Sequence, residues 1–481
     1  MKSSLKIKIR AVATAFCAFL TFLALRPAHA GEANPTREPT KEPDKMLSLT
    51  ELVPSLTPVS DYSGAFLDRS TVLGDWGGLR QDLYNNGITL DATLTQVYQG
   101  VASGGLGSGG EYMGLLDYGG TLDTGKLGWW PGGLFVANAQ TNWGRDILGA
   151  SGVISPVNFL ALYPTPDKST TFLMEYYLTQ GLPGNMMLTV GRLNASNFLD
   201  RSRFANDPRN QFQNISLNNN PLLGEFVSFS TYAALLGWQA SENLTIAAAV
   251  FDSGAVPGDY GVPGGFFNEW GGGLDVGISW GDHLDGSLHL TGIWSSKDPV
   301  LFDNPRLGDD LLSGTGSISR ASDNYGLVAT LDQYLWKPSN LSSHPGNSKN
   351  PVSPSPGQGG VHTADFDFNE RGLGVFGRFG IVPEDRNPFS IALSGGIGAR
   401  GVIPGRPYDR FGIGGFWLKE SDDFDRFSTL DLIGSETGLE VFYNAALTPS
   451  MQLSGSLQYI DSGLRGVENP LVLGLRLTAQ F

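Results

Sequence analysis

The stretch Leu471-Val472-Leu473-Gly474-Leu475-Arg476-Leu477-Thr478-Ala479-Gln480-Phe481 alternates without a break. Leu471, Leu473, Leu475, Leu477, Ala479 and Phe481 share one face, and Val472, Gly474, Arg476, Thr478 and Gln480 share the other. A period of two marks a strand whose two faces meet different surroundings. Just upstream, Met451, Leu453, Leu457 and Tyr459 alternate with Gln452, Ser454, Ser456 and Gln458. Before them, Leu439, Val441, Tyr443, Ala445 and Leu447 alternate with Glu440, Phe442, Asn444 and Ala446. The same pattern recurs toward the amino end, for example Leu90, Ala92 and Leu94 against Asp91, Thr93 and Thr95, or Leu244, Ile246 and Val250 against Thr245, Ala247 and Ala249. It predicts strands at 88–99, 112–124, 133–142, 171–180, 185–193, 227–239, 243–251, 272–280, 286–295, 324–335, 371–381, 388–400, 411–418, 437–447, 450–459 and 470–481. These lengths bracket the roughly 9–11 residues that a tilted membrane strand needs.

A soluble sandwich turns its apolar face inward. A transmembrane barrel turns that face to lipid and the polar face to a watery lumen. Charges at mid-strand on the polar face (Asp117, Glu175, Asp275, Asp332, Arg378, Arg400 and Arg476) favour the barrel. So do connections that alternate between tight (Gly181 to Gly184, Ser241-Glu242, Thr448-Pro449) and long (143–170, 194–226, 252–271, 296–323). Phe481, at the tip of an alternating strand, resembles the assembly signal of outer-membrane barrels. We therefore expect an all-β fold, a transmembrane antiparallel β-barrel of 16 strands over residues 88–481. Such a barrel must close, because lipid offers no partner to an open strand edge. Its lumen is too wide for side chains alone to fill, so it is a pore unless loops or a plug occupy it.

Composition agrees. Of 481 residues, charged ones make up 16%, against about 25% in soluble chains. A formal charge of −15 argues against nucleic acid as a partner, since phosphate binding needs a basic face. Residues 1–30 carry a basic start (Lys2, Lys6, Lys8, Arg10), an apolar run from Ala11 to Leu25 and the small-residue ending Ala28-His29-Ala30, the pattern of a Sec signal peptide. Its removal would take away five positive charges, leaving −20, and Cys17, the single cysteine. No later run approaches the length of apolar sequence, about 18 residues, that a spanning helix requires. Residues 31–61 form a Pro-rich flexible leader, and 62–87 a short, plug-like periplasmic segment. A second Pro-rich stretch, 336–370, is an insertion. The strand count puts it on the side of the chain ends, where turns are short, whereas Val382 to Pro388 looks like such a short turn. A miscounted strand near 411–436 would reconcile the two.

Motifs of enzymatic chemistry do not survive their context. Gly396-Ile397-Gly398-Ala399-Arg400-Gly401 matches a dinucleotide fingerprint, but no helix follows; glycines on the inner face of a curved strand explain it better. Asp365, Asp367 and Asn369 start like a calcium loop, yet Glu370 stands where Gly is required. His283, His289, His344 and His362 lack ligand spacing. Glu175 and Asp275 are explained more simply as pore charges than as an acid/base pair. No cofactor or metal is expected.

Gly74-Asp75-Trp76-Gly77-Gly78-Leu79-Arg80 with Asn86-Gly87-Ile88 resembles the opening of the OprB-like carbohydrate-selective porins. Gly191-Arg192-Leu193-Asn194 through Asn197-Phe198-Leu199-Asp200, then Phe204 to Asp207 and Gln211 to Asn214, is similar to that family's third-loop region. Gly405 to Arg410, Glu440 to Tyr443, Leu447-Thr448-Pro449, Leu457-Gln458-Tyr459 and Leu471 to Leu477 continue the match in order. The resemblance implies an outer-membrane pore that passes mono- and small oligosaccharides by diffusion, its long outer loops folded into the lumen as a constriction. It also implies a charged residue, often Arg, on the inner face of the strand before the second long loop; this chain offers Asn138, Gln140 and Asn142 instead.

A sugar asks for aromatic platforms beside groups that bond hydroxyls, held weakly enough for release. The candidate pore-lining residues are Asp117, Asn138, Gln140, Asn142, Trp143, Arg145, Glu175, Arg192, Arg201, Arg203, Asp275, Asp332, Arg378, Arg400, Glu440 and Arg476. Arg192 shares parity with the outward Val190, so lining the pore would require a bulge or strand end there. Expected partners are sugars, lipopolysaccharide and outer-membrane lipids, and the barrel-assembly machinery through Phe481; a homo-oligomer is compatible with the pattern. Two alternatives stay open: a general or ion-selective porin, for which the acidic inner faces would suit cations, and an enzyme or adhesin that uses the barrel as a scaffold.

Overall fold

Sixteen antiparallel strands hydrogen-bond edge to edge into one closed barrel, each paired with its neighbours in sequence and the first with the last. The computed structural model describes residues 62–162, 169–256, 268–281, 284–302, 318–338, 371–427 and 432–481. The expected signal sequence and leader (1–61), residues 339–370 of the insertion, His283, His344, His362 and the Asp365–Asn369 motif lie outside the described residues. The strands are β1 (Ile88–Gly105), β2 (Gly109–Asp123), β3 (Gly133–Gly144), β4 (Thr170–Leu182), β5 (Met186–Asn194), β6 (Ser230–Ser241), β7 (Leu244–Asp252), β8 (Trp270–Trp280), β9 (Gly286–Ser295), β10 (Asn324–Trp336), β11 (Gly372–Ile381), β12 (Phe389–Arg400), β13 (Arg410–Glu420), β14 (Glu436–Thr448), β15 (Met451–Asp461) and β16 (Glu468–Gln480). The seam pairs Thr93 with Gln480 and Val97 with Arg476. β1 runs six residues beyond its expected end, because Gly100, Ser103 and Gly105 continue the ladder that polarity alone would have stopped.

No strand is miscounted. β10 and β11 pair directly, so Lys337 and Arg371, which flank the insertion, lie at the rim that carries the start of β1 and the end of β16. We call this the lower rim. Val382–Pro388, expected on that side, lies instead at the upper rim: Phe302 of one upper connection donates to the Asp385 carbonyl (2.7 Å), and Ser421 of another donates to that of Pro388 (2.9 Å). Length misled here, since an upper connection need not be long when its neighbours cover it.

Faces follow the alternation. Leu90, Val190, Leu236, Val250, Leu274, Leu290, Leu393, Ile413, Leu439 and Leu475 form an exposed outer belt. Trp129, Trp238, Trp280 and Trp336 ring its lower edge; Tyr112, Trp270, Tyr325, Trp417 and Tyr459 ring the upper one. Apolar band and paired aromatic girdles are what a barrel in a bilayer presents.

The core lies inside the barrel. Wall aromatics Phe376, Phe416 and Phe442 point inward and pack with loop residues Phe204, Phe212, Leu217 and Phe226. Phe212 sits edge-on to Phe442, ring centres 4.8 Å apart, and 5.5 Å from Phe376. At the lower rim the 62–87 segment, with its helix Leu79–Asn85, closes on the seam: Val72 donates to the Gln480 carbonyl (2.7 Å), and Phe481 donates to that of Ala92 (2.8 Å).

Candidate functional site

The β5–β6 connection, 195–229, enters the lumen. Its local structure is set by asparagines. Asn194, Asn214 and Asn220 each use a side-chain oxygen to accept an N–H two residues on and so start short helical turns, Ala195–Asn197, Ile215–Asn218 and Pro221–Glu225. Between these turns the chain descends to Arg203–Pro208 in the lower half and climbs back.

Inner-face charges of the wall hold it there. Arg378 meets Asp200 (2.9 Å) and donates to the carbonyls of Leu217 and Ala205 (2.7 Å each). Asp332 accepts from Ser202 Oγ and the Arg203 N–H, both at 2.7 Å. Glu440 accepts the Gln213 and Asn214 N–H groups at 2.8 and 2.9 Å. Asp117 accepts from Arg209 Nε (2.9 Å), and Arg476 donates to the Gln211 carbonyl (2.8 Å). Arg410 pairs with Asp207 at 3.2 Å. Burial alone would raise the Asp207 carboxyl, but Arg410, Asn210 and Arg209 outweigh it and hold the group below its usual range. Charged wall groups that meet loop carbonyls and N–H groups satisfy backbone the loop would otherwise bury unpaired. Glycines make the approach sterically feasible: a Cβ at Gly398 would lie 2.7 Å from the Phe204 Cβ, and one at Gly374 2.1 Å from its ring. Within the misleading Gly396–Gly401 motif, Gly398 serves this role.

The 145–162 segment follows the loop inward. Glu436 accepts the N–H groups of Ile154 (2.8 Å) and Ser155 (2.7 Å), while Gln99 and Gln458 both donate to the Val157 carbonyl.

The loop packs against β10–β16 and β1–β2, which leaves the lumen open beside β5–β9. A cavity of about 1390 Å³, counted with the solvent continuous with it, lies there. Its wall is small: Ala233, Ala247, Ala249, Gly273 and Gly277 take the inward positions. Asp275 is the charged residue these strands contribute, and it accepts from Thr291 Oγ1 (2.7 Å) and contacts His289 Nδ1 (3.0 Å). Arg201, Arg203, Phe198 and Leu199 border the cavity from the loop side. Arg203 is tied to Asp285 in the β8–β9 turn, which Lys337 also contacts. Burial would raise the Asp285 carboxyl, but Arg203 and Lys337 prevail and lower it. A second space of about 430 Å³, counted the same way, borders Asp117, Asn138, Gln140, Asn194 and Arg209, under Phe159 and Phe229.

The candidates therefore separate. Arg201, Arg203 and Asp275 reach the larger opening. Asp117, Asp332, Arg378, Glu440 and Arg476 face inward but are engaged by the loop. Glu175 is fully buried and accepts from Asn197 (3.2 Å); Asn142 is equally buried, beside Gln140. Arg400 is inward near the lower rim, opposite Arg410. Two candidates turn out not to line the pore. β3 continues to Gly144, so Trp143 keeps its alternate parity, pairs with Gly114 and joins Tyr112 (3.3 Å) in the outer girdle. Arg192 keeps the parity of Val190: no bulge intervenes, and it lies on the outer face between Tyr176 and Tyr232, capped by the Val256 carbonyl (2.8 Å). Arg145 is exposed at the upper rim. His289, Thr291 and Arg209 were missed; the parity of β8–β9 would have placed the first two inward beside Asp275.

A profile of the carbohydrate-selective porin, OprB family, matches residues 108–481. The high-pH structure of Pseudomonas putida OprB superposes with a TM-score of 0.71 at 20% identity, covering 87% of this chain and 100% of that one. Its low-pH structure gives 0.51 at 16% identity, over 86% and 99%. At such identities the superpositions speak for the fold alone. No curated sequence matches. Over three quarters of its length, from the second strand to Phe481, this chain carries the family pattern on the family's barrel: it belongs to the OprB family of carbohydrate-selective porins of the outer membrane.

Proposed function

We propose that mono- and small oligosaccharides diffuse passively through the crescent between the 195–229 loop and the β5–β9 wall, without catalysis or energy coupling. The observation that carries this is the division of labour among inner-face charges. Most of the wall's charges are engaged by the loop, whereas Asp275 of the wall borders the larger opening, faced by Arg201 and Arg203 of the loop. Small wall residues keep the crescent wide. Phe198 and Phe251 offer apolar faces to a sugar ring, while Arg201, Arg203, Asp275 and Thr291 address hydroxyls. Several weak contacts spread along a path suit a solute that must also leave. The acidic inner faces that would recommend a cation channel lose weight, since Asp117, Asp332 and Glu440 are engaged with the loop.

In this account the lower rim faces the periplasm and the upper rim the medium, residues 1–30 direct export, Phe481 engages the assembly machinery, and the girdles meet lipopolysaccharide and phospholipid. The 62–87 segment covers the periplasmic end of the seam. Current through single channels in planar bilayers tests the function: added sugars should reduce it in a saturable way, and amino acids of similar size should not. Equal effects of both would favour the general porin.

A further inference from the structure

We propose that His289 is the hydrogen-bond acceptor with which the barrel wall reads the hydroxyls of a passing sugar, and that Asp275 and Thr291 fix it in that role; the proposal rests on the crescent being the passage. An ionised carboxylate only accepts. The 3.0 Å contact between His289 Nδ1 and Asp275 Oδ1 therefore places a proton on Nδ1. In the neutral ring that leaves Nε2 with a free lone pair. Thr291 donates to the other oxygen of Asp275 at 2.7 Å, which steadies the carboxylate in turn. Partners of this outer kind set the tautomer and direction of an imidazole.

Position supports the role. Asp275 and Thr291 are directly opposed on β8 and β9, as are Gly277 and His289. A Cβ at Gly277 would lie 2.5 Å from His289 Cε1, so the ring rests over the bare glycine. The His289 and Asp275 side chains are each about a quarter exposed (24% and 23%), and both border the cavity. Among the described residues no group bonds Nε2. Across the cavity stand Arg201 and Arg203, which only donate. A neutral polyol fits between the two sides: one hydroxyl gives its proton to Nε2, and another receives one from a guanidinium.

The experiment is current block by glucose in planar bilayers, on variants first shown to insert as open channels. His289→Phe keeps the ring's bulk and removes the acceptor; Asp275→Asn removes the carboxylate that dictates the tautomer. Each should raise the half-blocking concentration about fivefold, the worth of one net hydrogen bond. His289→Gln, which restores an acceptor, should recover most of the loss, a rescue that a packing role would not give. Unchanged block in both His289→Phe and Asp275→Asn overturns the proposal. Ala249→Trp, which fills the crescent, separates the two levels: if it leaves conductance intact, the passage itself is misplaced.

Discussion

Arg378 and Asp200 meet at 2.9 Å in a lumen where neither side chain touches solvent (1% and 0% exposed). One belongs to the wall and the other to the loop, so this contact is among those that hold the loop inside the bore. Removing one partner of a buried pair leaves an uncompensated charge and costs about 3–5 kcal/mol. Arg378→Ala should therefore free the loop: single-channel conductance rises and block by sugar weakens. Replacing both partners with apolar residues should cost less than replacing Arg378 alone, which thermal unfolding of the two variants would reveal.

The loop's lower tip should respond to acid. Asp285 bridges Arg203 and Lys337, and its carboxyl is held below the unfolded value of about 3.9. A depressed carboxyl contributes stability that is complete above that value and is lost as pH falls through the folded one. Conductance should stay constant down to mildly acidic pH and change only below the ordinary carboxylate range. Asp285→Asn should show the acid behaviour already at neutral pH, since it keeps the shape and drops the charge. Bilayer recordings across a pH series compare the two.

Bulk on the β6–β9 wall should close what bulk elsewhere does not. Ala249 faces the crescent, whereas Ala248, on the opposite parity, faces outward. Ala249→Trp should lower conductance severalfold, and Ala248→Trp should leave it within roughly a factor of two, because aromatic residues are at home on a lipid-facing strand.

The seam depends on Arg80. Its guanidinium donates to the Leu90 carbonyl (2.8 Å), Asp91 (3.1 Å) and the Phe481 main-chain oxygen (3.0 Å), beneath the rings of Tyr62 and Trp76. Charged hydrogen bonds of this kind are worth about 1.5–3 kcal/mol each. Arg80→Gln should lower the temperature at which the folded, fast-migrating band disappears on unheated denaturing gels, with no change in sugar block.

The alternation fixed the barrel and its strand number, because a one-residue slip would exchange lipid-facing and lumen-facing side chains along a whole strand. Strand ends were less legible: β1 reaches Gly105 through glycine and serine, which carry no polarity signal. The site was half legible. Parity gave the inward direction of Asp117, Glu175, Asp275, Asp332, Arg378 and Arg476, but parity does not reveal which of them a loop from elsewhere in the chain will engage. Glu440 and Arg378 read as pore charges until Gln213, Asn214 and Asp200 are seen upon them. Some motifs that signalled the family are structural: Arg406 and Asp409 pair at 2.7 Å within the β12–β13 turn, and Asp409 accepts the Ala446 N–H at 2.9 Å. The open crescent was written in Ala233, Ala247, Ala249, Gly273 and Gly277, small residues whose meaning is the space they leave.

Liposome swelling with the purified protein measures the central claim most directly. Sugars should enter faster than amino acids and other zwitterions of equal or smaller size, and Arg378→Ala should erase the difference by opening the lumen. Rates ordered by molecular size alone, identical for sugars and non-sugars in the wild-type protein, would contradict the account.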